Sequence, residues 1–287
     1  MSQKRTWIYS VIVSALLVFA GDSTAQAPQT ITVFAAASLT DAFTEIKTQF
    51  EAANPGVTVV YNFGGSSTLA AQLSEGAPAD VFASANNTQM QAAQAAGRIT
   101  REPVIFARNR LVLVVPADNR ANITTLNELA NPGIKLVVAA PDVPVRQYTD
   151  NMLNLLAEDP AFGPDYRSGV MDNIVSEESN VRQVLLKVLL GEADAGIVYT
   201  SDVTPDAVEQ VAQITIPDAV NTLATYPIAI TNDSANAEQA QAFVDFVLSA
   251  EGQATLSKWG FIPIDESAPR TGGIIAWLVV IFGLLFA

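Results

Sequence analysis

Hydroxyl side chains follow two apolar runs of the sequence, at the point where each run ends. Ser38 comes directly after the first run, and Ser66 follows a second run that closes on Gly64 and Gly65. The carboxyl ends of parallel strands meet at one edge of a sheet, where ligands bind. A helix N-terminus there offers unpaired N–H groups and a partial positive charge. The spacing therefore favours hydrogen bonds from Ser38 and Ser66 to one small oxyanion.

Each serine also has an ordinary structural interpretation. A serine followed three residues later by an acidic residue is a common helix cap, and Asp41 stands three residues after Ser38. For either serine alone, helix capping is the favoured explanation. Because two such serines follow consecutive predicted strands, anion binding becomes about as favoured as capping. A P-loop is excluded, because no Gly-Lys-Ser/Thr follows the glycines.

The composition removes several kinds of chemistry. The chain has 287 residues with no histidine and no cysteine, so Ser-His-Asp triads, His or thiolate metal sites and disulfides are absent. A hydrolase built on either serine would need a lysine or carboxylate base, and Lys47 lies too far along its helix to serve. The formal net charge of −14 disfavours a nucleic-acid partner. We expect a binding protein, not an enzyme, that uses no cofactor.

Short β-rich runs alternate with helical periodicity between residues 29 and 266. This alternation predicts an α/β fold of parallel βαβ units, with helices on both faces of each sheet. The predicted strands are 31–36, 57–63, 80–84, 111–116, 135–140, 195–200 and 226–231. The predicted helices follow Ser38 and Ser66 and cover 150–157, 181–190 and 237–249.

Two lobes fit these elements better than one large sheet. We predict a first lobe of residues 29–107 plus 226–266 and a second lobe of 108–225. Each lobe would be a mixed, mostly parallel sheet flanked by helices. Two chain crossings would form a hinge, with the ligand cleft between the lobes.

The N-terminus is predicted to be an export signal over residues 1–25. Lys4 and Arg5 precede an uncharged apolar run at 7–20, and small residues follow it. Cleavage after Ala25 is favoured, and an uncleaved anchor is the alternative. We therefore expect the protein to be exported.

The C-terminal segment 270–287 is hydrophobic. A helix of this length would reach about 25 Å, less than the roughly 30 Å of a bilayer core. It is interpreted as a membrane anchor, a degenerate cell-wall sorting signal or a segment of no set structure. The protein is expected to be periplasmic or tethered to the outer face of the membrane or the cell surface. An adhesive surface protein is a further alternative.

Collinear motifs over residues 31–262 resemble the molybdate-binding proteins of ABC importers. The motifs are Ile31-Thr32-Val33-Phe34-Ala35-Ala36-Ala37-Ser38-Leu39-Thr40, Ser66-Ser67-Thr68-Leu69-Ala70, Gly76-Ala77-Pro78-Ala79-Asp80-Val81-Phe82, Asp142-Val143-Pro144, Val181-Arg182 and Gly196-Ile197-Val198-Tyr199. The resemblance implies a two-lobed periplasmic-binding fold of type II. It also implies capture of molybdate or tungstate and delivery to a membrane permease; we expect a monomer.

The resemblance further implies the ligand-binding residues. They would be the hydroxyls of Ser38, Ser66 and Tyr199 and the backbone N–H groups of Val145 and Val181. Taken alone, Tyr199 and the two valines would be ordinary core or helix residues.

One position departs from the family pattern, because Arg146 stands where a small residue is common. It would either donate to the oxyanion or point to solvent, and solvent is favoured because the family's site is uncharged. Sulfate or phosphate is the alternative ligand. Phosphate would need a carboxylate to accept its remaining proton, and Asp41 is the nearest to the motif turns.

Overall fold

A computed structural model describes residues 29–264 as two sheets with flanking helices. The strands are β1 (Gln29–Ala36), β2 (Val57–Gly64), β3 (Val81–Ala83), β4 (Val104–Asn109), β5 (Leu111–Pro116), β6 (Leu136–Ala139), β7 (Ile174–Glu178), β8 (Ala195–Tyr199), β9 (Val211–Thr215), β10 (Ala224–Ile230) and β11 (Ile262–Pro263). The helices are α1 (Thr40–Ala53), α2 (Ser66–Ser74), α3 (Asn87–Ala95), α4 (Pro144–Glu158), α5 (Tyr166–Asp172), α6 (Val181–Leu189), α7 (Ala237–Leu248) and α8 (Ala250–Lys258).

Both sheets are mixed. The first has the order β11-β4-β10-β3-β1-β2, and the second β7-β6-β8-β5-β9. In the first sheet β1 pairs in parallel with β2 and β3, and in the second β6 pairs in parallel with β7 and β8. The other strands join antiparallel. The α/β class and the mixed sheets are confirmed, and the parallel strands carry the turns singled out in the sequence.

The chain passes between the two sheets twice. The first passage is at Arg110, between β4 and β5, and the second runs through 216–223, between β9 and β10. The strand β4 runs on to Asn109 and β10 begins at Ala224, so both strands straddle the predicted lobe boundaries at 107 and 225. These two passages connect a first lobe, built on the first sheet, with a second lobe, built on the second.

Aromatic packing fixes α1 against the first sheet. Its buried face presents Ala42, Phe43, Ile46 and Phe50. The ring of Phe43 lies 5.7 Å from that of Phe106 on β4 and 5.9 Å from that of Phe243 on α7. Burying such side chains contributes about 1.5–3 kcal/mol each, which holds the turn between β1 and α1 in place.

Helix α4 begins six residues before its predicted start at 150. Pro144 stands in its first turn, where the missing N–H of proline costs nothing and its fixed φ suits a helix. The helix therefore starts beside the Asp142-Val143-Pro144 motif. Helices α3, α5 and α8 and strands β4, β7, β9 and β11 were not predicted.

The predicted export signal 1–25 and hydrophobic tail 270–287 lie outside the described residues. Within 29–264, no helix combines the length and apolar character that a membrane span requires.

Candidate functional site

One small cavity lies between the two lobes, and the structure brings all five predicted ligand-binding residues to its wall. The space between its walls, part of which is open to solvent, is about 210 Å³. Its lining residues are Ala36, Ala37, Ser38, Gly64, Gly65, Ser66, Ala85, Val143, Pro144, Val145, Asn180, Val181 and Tyr199. The first seven belong to the first lobe and the other six to the second.

Sheet register places the two serines side by side. Strands β1 and β2 run in parallel with Ala36 opposite Gly64, so the turns after them meet at one edge. Ser38 lies in a single 3-10 turn after β1, and Ser66 is the first residue of α2. Both are buried, which allows their hydroxyls to serve a ligand shielded from water.

Neither serine caps a helix, so the capping interpretation was wrong. Gly65 is the N-cap of α2 and Leu39 that of α1, and neither helix receives a side-chain cap. The Ser66 hydroxyl instead accepts a hydrogen bond from the backbone N–H of Ala85 at 3.0 Å. Because a hydroxyl has one proton, Ser66 keeps its own donor for the cavity.

The second lobe contributes backbone donors from two helix N-termini. Val145 lies in the first turn of α4 and Val181 opens α6, where N–H groups have no acceptor within the helix. Helix α4 has no side-chain cap. On α6 the Asn180 side chain accepts from the N–H of Gln183, which leaves the N–H of Val181 for a ligand.

Tyr199 ends β8 and lines the cavity. Its side chain is 1% exposed, and its hydroxyl has no hydrogen-bond partner among residues 29–264. Burial raises the pKa of Tyr199 well above its ordinary value. The hydroxyl therefore stays protonated. A buried hydroxyl without a hydrogen-bond partner costs about 1–3 kcal/mol, and a ligand that accepts from Tyr199 would remove this cost.

Arg146 neither lines the cavity nor points to solvent, so the favoured solvent interpretation was wrong. Its side chain is 5% exposed and lies 2.7 Å from Glu177 and 3.2 Å from Asp150, in two ion pairs. It also donates to the carbonyl of Ala139 at 3.0 Å. Burial lowers the pKa of Arg146, but the two carboxylates outweigh burial and raise it overall. The charge of Arg146 is thus paired with carboxylates of the second lobe and does not face the cavity.

An ion-pair cluster beside the cavity was missed from the sequence. Asp41, which does not cap a helix, pairs with Arg182 across the two lobes. The Nε of Arg182 also lies 3.0 Å from Oδ1 of Asp202, and Asp202 accepts from the N–H of Tyr199 at 3.0 Å. Burial raises the pKa of Asp202 to about 6, against the lowering effect of Arg182. The cluster fixes Tyr199 and links the lobes.

At Gly65, beside the cavity, the backbones of the two lobes lie close together. A Cβ atom at this position would lie 2.3 Å from the carbonyl oxygen of Ser179, far inside van der Waals contact. Only glycine allows the two backbones to come this close.

The cavity therefore offers hydrogen-bond donors and no charged side chain. Hydroxyls and helix N-terminal N–H groups of this kind hold anions without a basic residue. Within 29–264 no cluster of acidic side chains could hold a metal ion. The arrangement is suited to an anion whose oxygens accept at every contact.

Comparison with known proteins assigns the chain to a family. Residues 31–262 match the model of the bacterial extracellular solute-binding proteins. The chain belongs to this family. A relative in Mycobacterium tuberculosis, named molybdate-binding protein ModA, is 39% identical over 261 residues, covering 88% of this chain and 95% of the relative. The predicted resemblance is thereby confirmed.

Two solved structures share the fold of this solute-binding protein. The periplasmic molybdate-binding protein of Azotobacter vinelandii has a TM-score of 0.70 at 20% identity, covering 82% of this chain and 100% of that one. The sulfate-binding protein SubI of M. tuberculosis has a TM-score of 0.75 at 21% identity, covering 83% of this chain and 88% of that one. At these identities the likeness extends to the two-lobed fold.

Proposed function

We propose that this solute-binding protein captures molybdate in its interlobe cavity and delivers it to an ABC permease. The observation that carries the proposal is that Ser38, Ser66, Val145, Val181 and Tyr199 line one cavity between the lobes. The three hydroxyls and the two backbone N–H groups would be the donors to the ligand. A tetrahedral dianion presents four oxygens, all of which accept. The similarity to ModA over most of both chains adds independent support.

Tungstate has the same charge and shape as molybdate and is proposed to bind as well. Sulfate has the same charge but is smaller, so a cavity sized for molybdate would hold it with stretched hydrogen bonds. Hydrogen phosphate keeps one proton that needs an acceptor, and the lining residues include no carboxylate. The donor set thus disfavours hydrogen phosphate, and cavity size would favour molybdate and tungstate over sulfate.

The protein is proposed to work outside the cytoplasm and to do no chemistry on its ligand. Relatives in its family are extracellular solute-binding proteins, and one in Bacillus subtilis is named a putative ABC transporter substrate-binding lipoprotein. A monomer with a closing cleft suffices for this role, since one chain supplies the complete donor set.

Calorimetric titration of the purified protein with molybdate, tungstate, sulfate and phosphate tests the proposal. We expect one site per chain that binds molybdate and tungstate more tightly than the other two anions. Tight binding of sulfate without binding of molybdate would overturn it in favour of a sulfate-binding protein.

A further inference from the structure

A buried chain of hydrogen bonds leads from the first passage between the sheets to Ser38. Asn109, the last residue of β4, lies with its Nδ2 3.5 Å from the hydroxyl of Tyr226 on β10. That hydroxyl lies 3.0 Å from Oγ of Ser38. All three side chains are buried, so their hydrogen bonds are shielded from exchange with water. Neither Asn109 nor Tyr226 lines the cavity.

The orientation of the Asn109 amide fixes the direction of this chain. Its Oδ1 accepts from the backbone N–H of Arg110 and from the hydroxyl of Thr200, both at 2.9 Å. A backbone N–H can only donate, so the amide oxygen must face it. The amide nitrogen then faces the other way, where it donates to Ser201 at 2.8 Å and to Tyr226.

The hydroxyl of Tyr226 is placed to donate to Ser38. One lone pair of its oxygen accepts from Asn109, and Oγ of Ser38 lies 3.0 Å away. Because Ser38 has a single proton and gives it to the anion at the proposed site, the proton between these two oxygens must come from Tyr226. Burial raises the pKa of Tyr226 well above its ordinary value, so the proton stays on this group. The oxygen of Ser38 accepts from Tyr226, and the Ser38 proton is left for the cavity.

We propose that Asn109 and Tyr226 are positioning residues that lock the Ser38 hydroxyl as a donor and so select fully deprotonated oxyanions. The inference rests on the proposed function. Ser66 is committed in the same way, because it accepts from Ala85. A serine free to rotate can turn its lone pairs toward the proton of hydrogen phosphate. A serine whose own proton points at the anion and whose oxygen already accepts from Tyr226 disfavours that proton. Asn109 and Tyr226, which do not line the cavity, would therefore determine its preference for deprotonated anions.

Asn109→Asp tests the direction of the chain. The carboxylate would accept from Tyr226, and Ser38 would then turn its proton to the Tyr226 oxygen and its lone pairs to the anion. We expect molybdate affinity to fall about tenfold or more, as for the loss of a hydrogen bond to a charged group. The molybdate-to-phosphate affinity ratio, from competition titrations at pH 8, should narrow by a similar factor.

Tyr226→Phe tests the link itself. Ser38 becomes free to donate or accept, so we expect a several-fold loss of molybdate affinity and a narrower molybdate-to-phosphate ratio. The matched controls are Tyr61→Phe, whose hydroxyl donates to the carbonyl of Phe43 away from the cavity, and Asn173→Asp, whose amide donates to Leu129 and Asn131. Both controls should keep the wild-type ratio.

The outcomes separate the two proposals. If the wild type binds molybdate but both test variants keep its molybdate-to-phosphate ratio, the inference is overturned and the proposed function stands. If the wild type binds no tetrahedral dianion, the proposed function and the inference both fail. Thermal unfolding checks that each variant is folded; if Asn109→Asp is not, Tyr226→Phe decides on the same ratio.

Discussion

The hydrogen bonds that neighbouring groups make with the three cavity hydroxyls determine whether each hydroxyl can donate to a ligand. Ser66 accepts from Ala85, Ser38 accepts from Tyr226 along the inferred chain, and the Tyr199 hydroxyl has no partner within residues 29–264. Each hydroxyl therefore has one proton to give. We propose that the site binds its anion through these hydrogen bonds and not through a charged side chain.

Ser66→Ala is predicted to weaken molybdate binding by about tenfold or more, because it removes a hydroxyl hydrogen bond to an anion. Calorimetric titration measures the change. Ser74→Ala is the matched control, since the Ser74 hydroxyl donates to the carbonyl of Ala70 at the far end of the same helix. Equal affinity of Ser66→Ala and the wild type would refute the site assignment.

Asp202 predicts a pH dependence of stability. Its pKa is raised from 3.8 to about 6 in the folded protein, so the folded state binds a proton that the unfolded state has already lost between these values. The free energy of unfolding should therefore fall as pH rises from about 4 to about 6, by roughly 1–3 kcal/mol.

In Asp202→Asn the side chain cannot titrate. The fall in the free energy of unfolding between about pH 4 and about pH 6 should therefore be smaller than in the wild type. Denaturant unfolding at several pH values compares it with the wild type. An unchanged slope in the variant would show that Asp202 is not the group responsible.

At the scale of elements, the site is formed where the turns after two parallel strands face the N-termini of two helices. The parallel pairing of β1 and β2 aligns the turns before α1 and α2, and the N-termini of α4 and α6 face them from the second lobe. The close contact of Gly65 with Ser179 sets how nearly these elements can approach.

Gly65→Ala is predicted to hold the lobes apart and weaken molybdate binding strongly, because its Cβ would overlap the Ser179 carbonyl. Gly64→Ala is the matched control, since a Cβ there would meet only the Leu69 side chain, at 3.4 Å. We expect its loss of affinity to be much smaller. Similar losses in both variants, measured by titration, would contradict this account of the contact.

Sequence patterns predicted the elements that depend on neighbouring residues. The apolar runs before Ser38 and Ser66 and the periodicity of α1 are local signals, and the structure has those elements. Partners that are distant along the chain leave no local signal: Tyr226 meets Ser38 from 188 positions away. Arg146 was misplaced because its partner Glu177 is 31 positions away, and only the folded β6–β7 pair brings them together.

At the scale of the whole molecule, the lobes are linked on both sides of the cavity. Asp41 pairs with Arg182 on one side. On the other, Asn86 donates to Gln147 at 2.9 Å and Gln89 donates to the carbonyl of Asp142 at 2.9 Å. These contacts link the lobes around the cavity, and we predict that the chain passages at Arg110 and 216–223 allow the lobes to open.

Asp41→Asn is predicted to weaken the closed state and lower molybdate affinity by up to about fivefold, the worth of a partly exposed ion pair. The matched control is Asp150→Asn, because Asp150 pairs with Arg146 inside the second lobe. This variant should leave the molybdate affinity unchanged. Small-angle scattering of the ligand-free protein should show a more open shape for Asp41→Asn alone. Identical scattering and affinity for both variants would remove the role assigned to this ion pair.

The most direct test of the central claim is a crystal structure of the molybdate complex with the molybdenum located by its anomalous scattering. We predict one molybdenum peak in the interlobe cavity, with oxygens within about 3 Å of the donor atoms of Ser38, Ser66, Val145, Val181 and Tyr199. A complex with molybdenum outside this cavity, or held by other residues, would contradict the account.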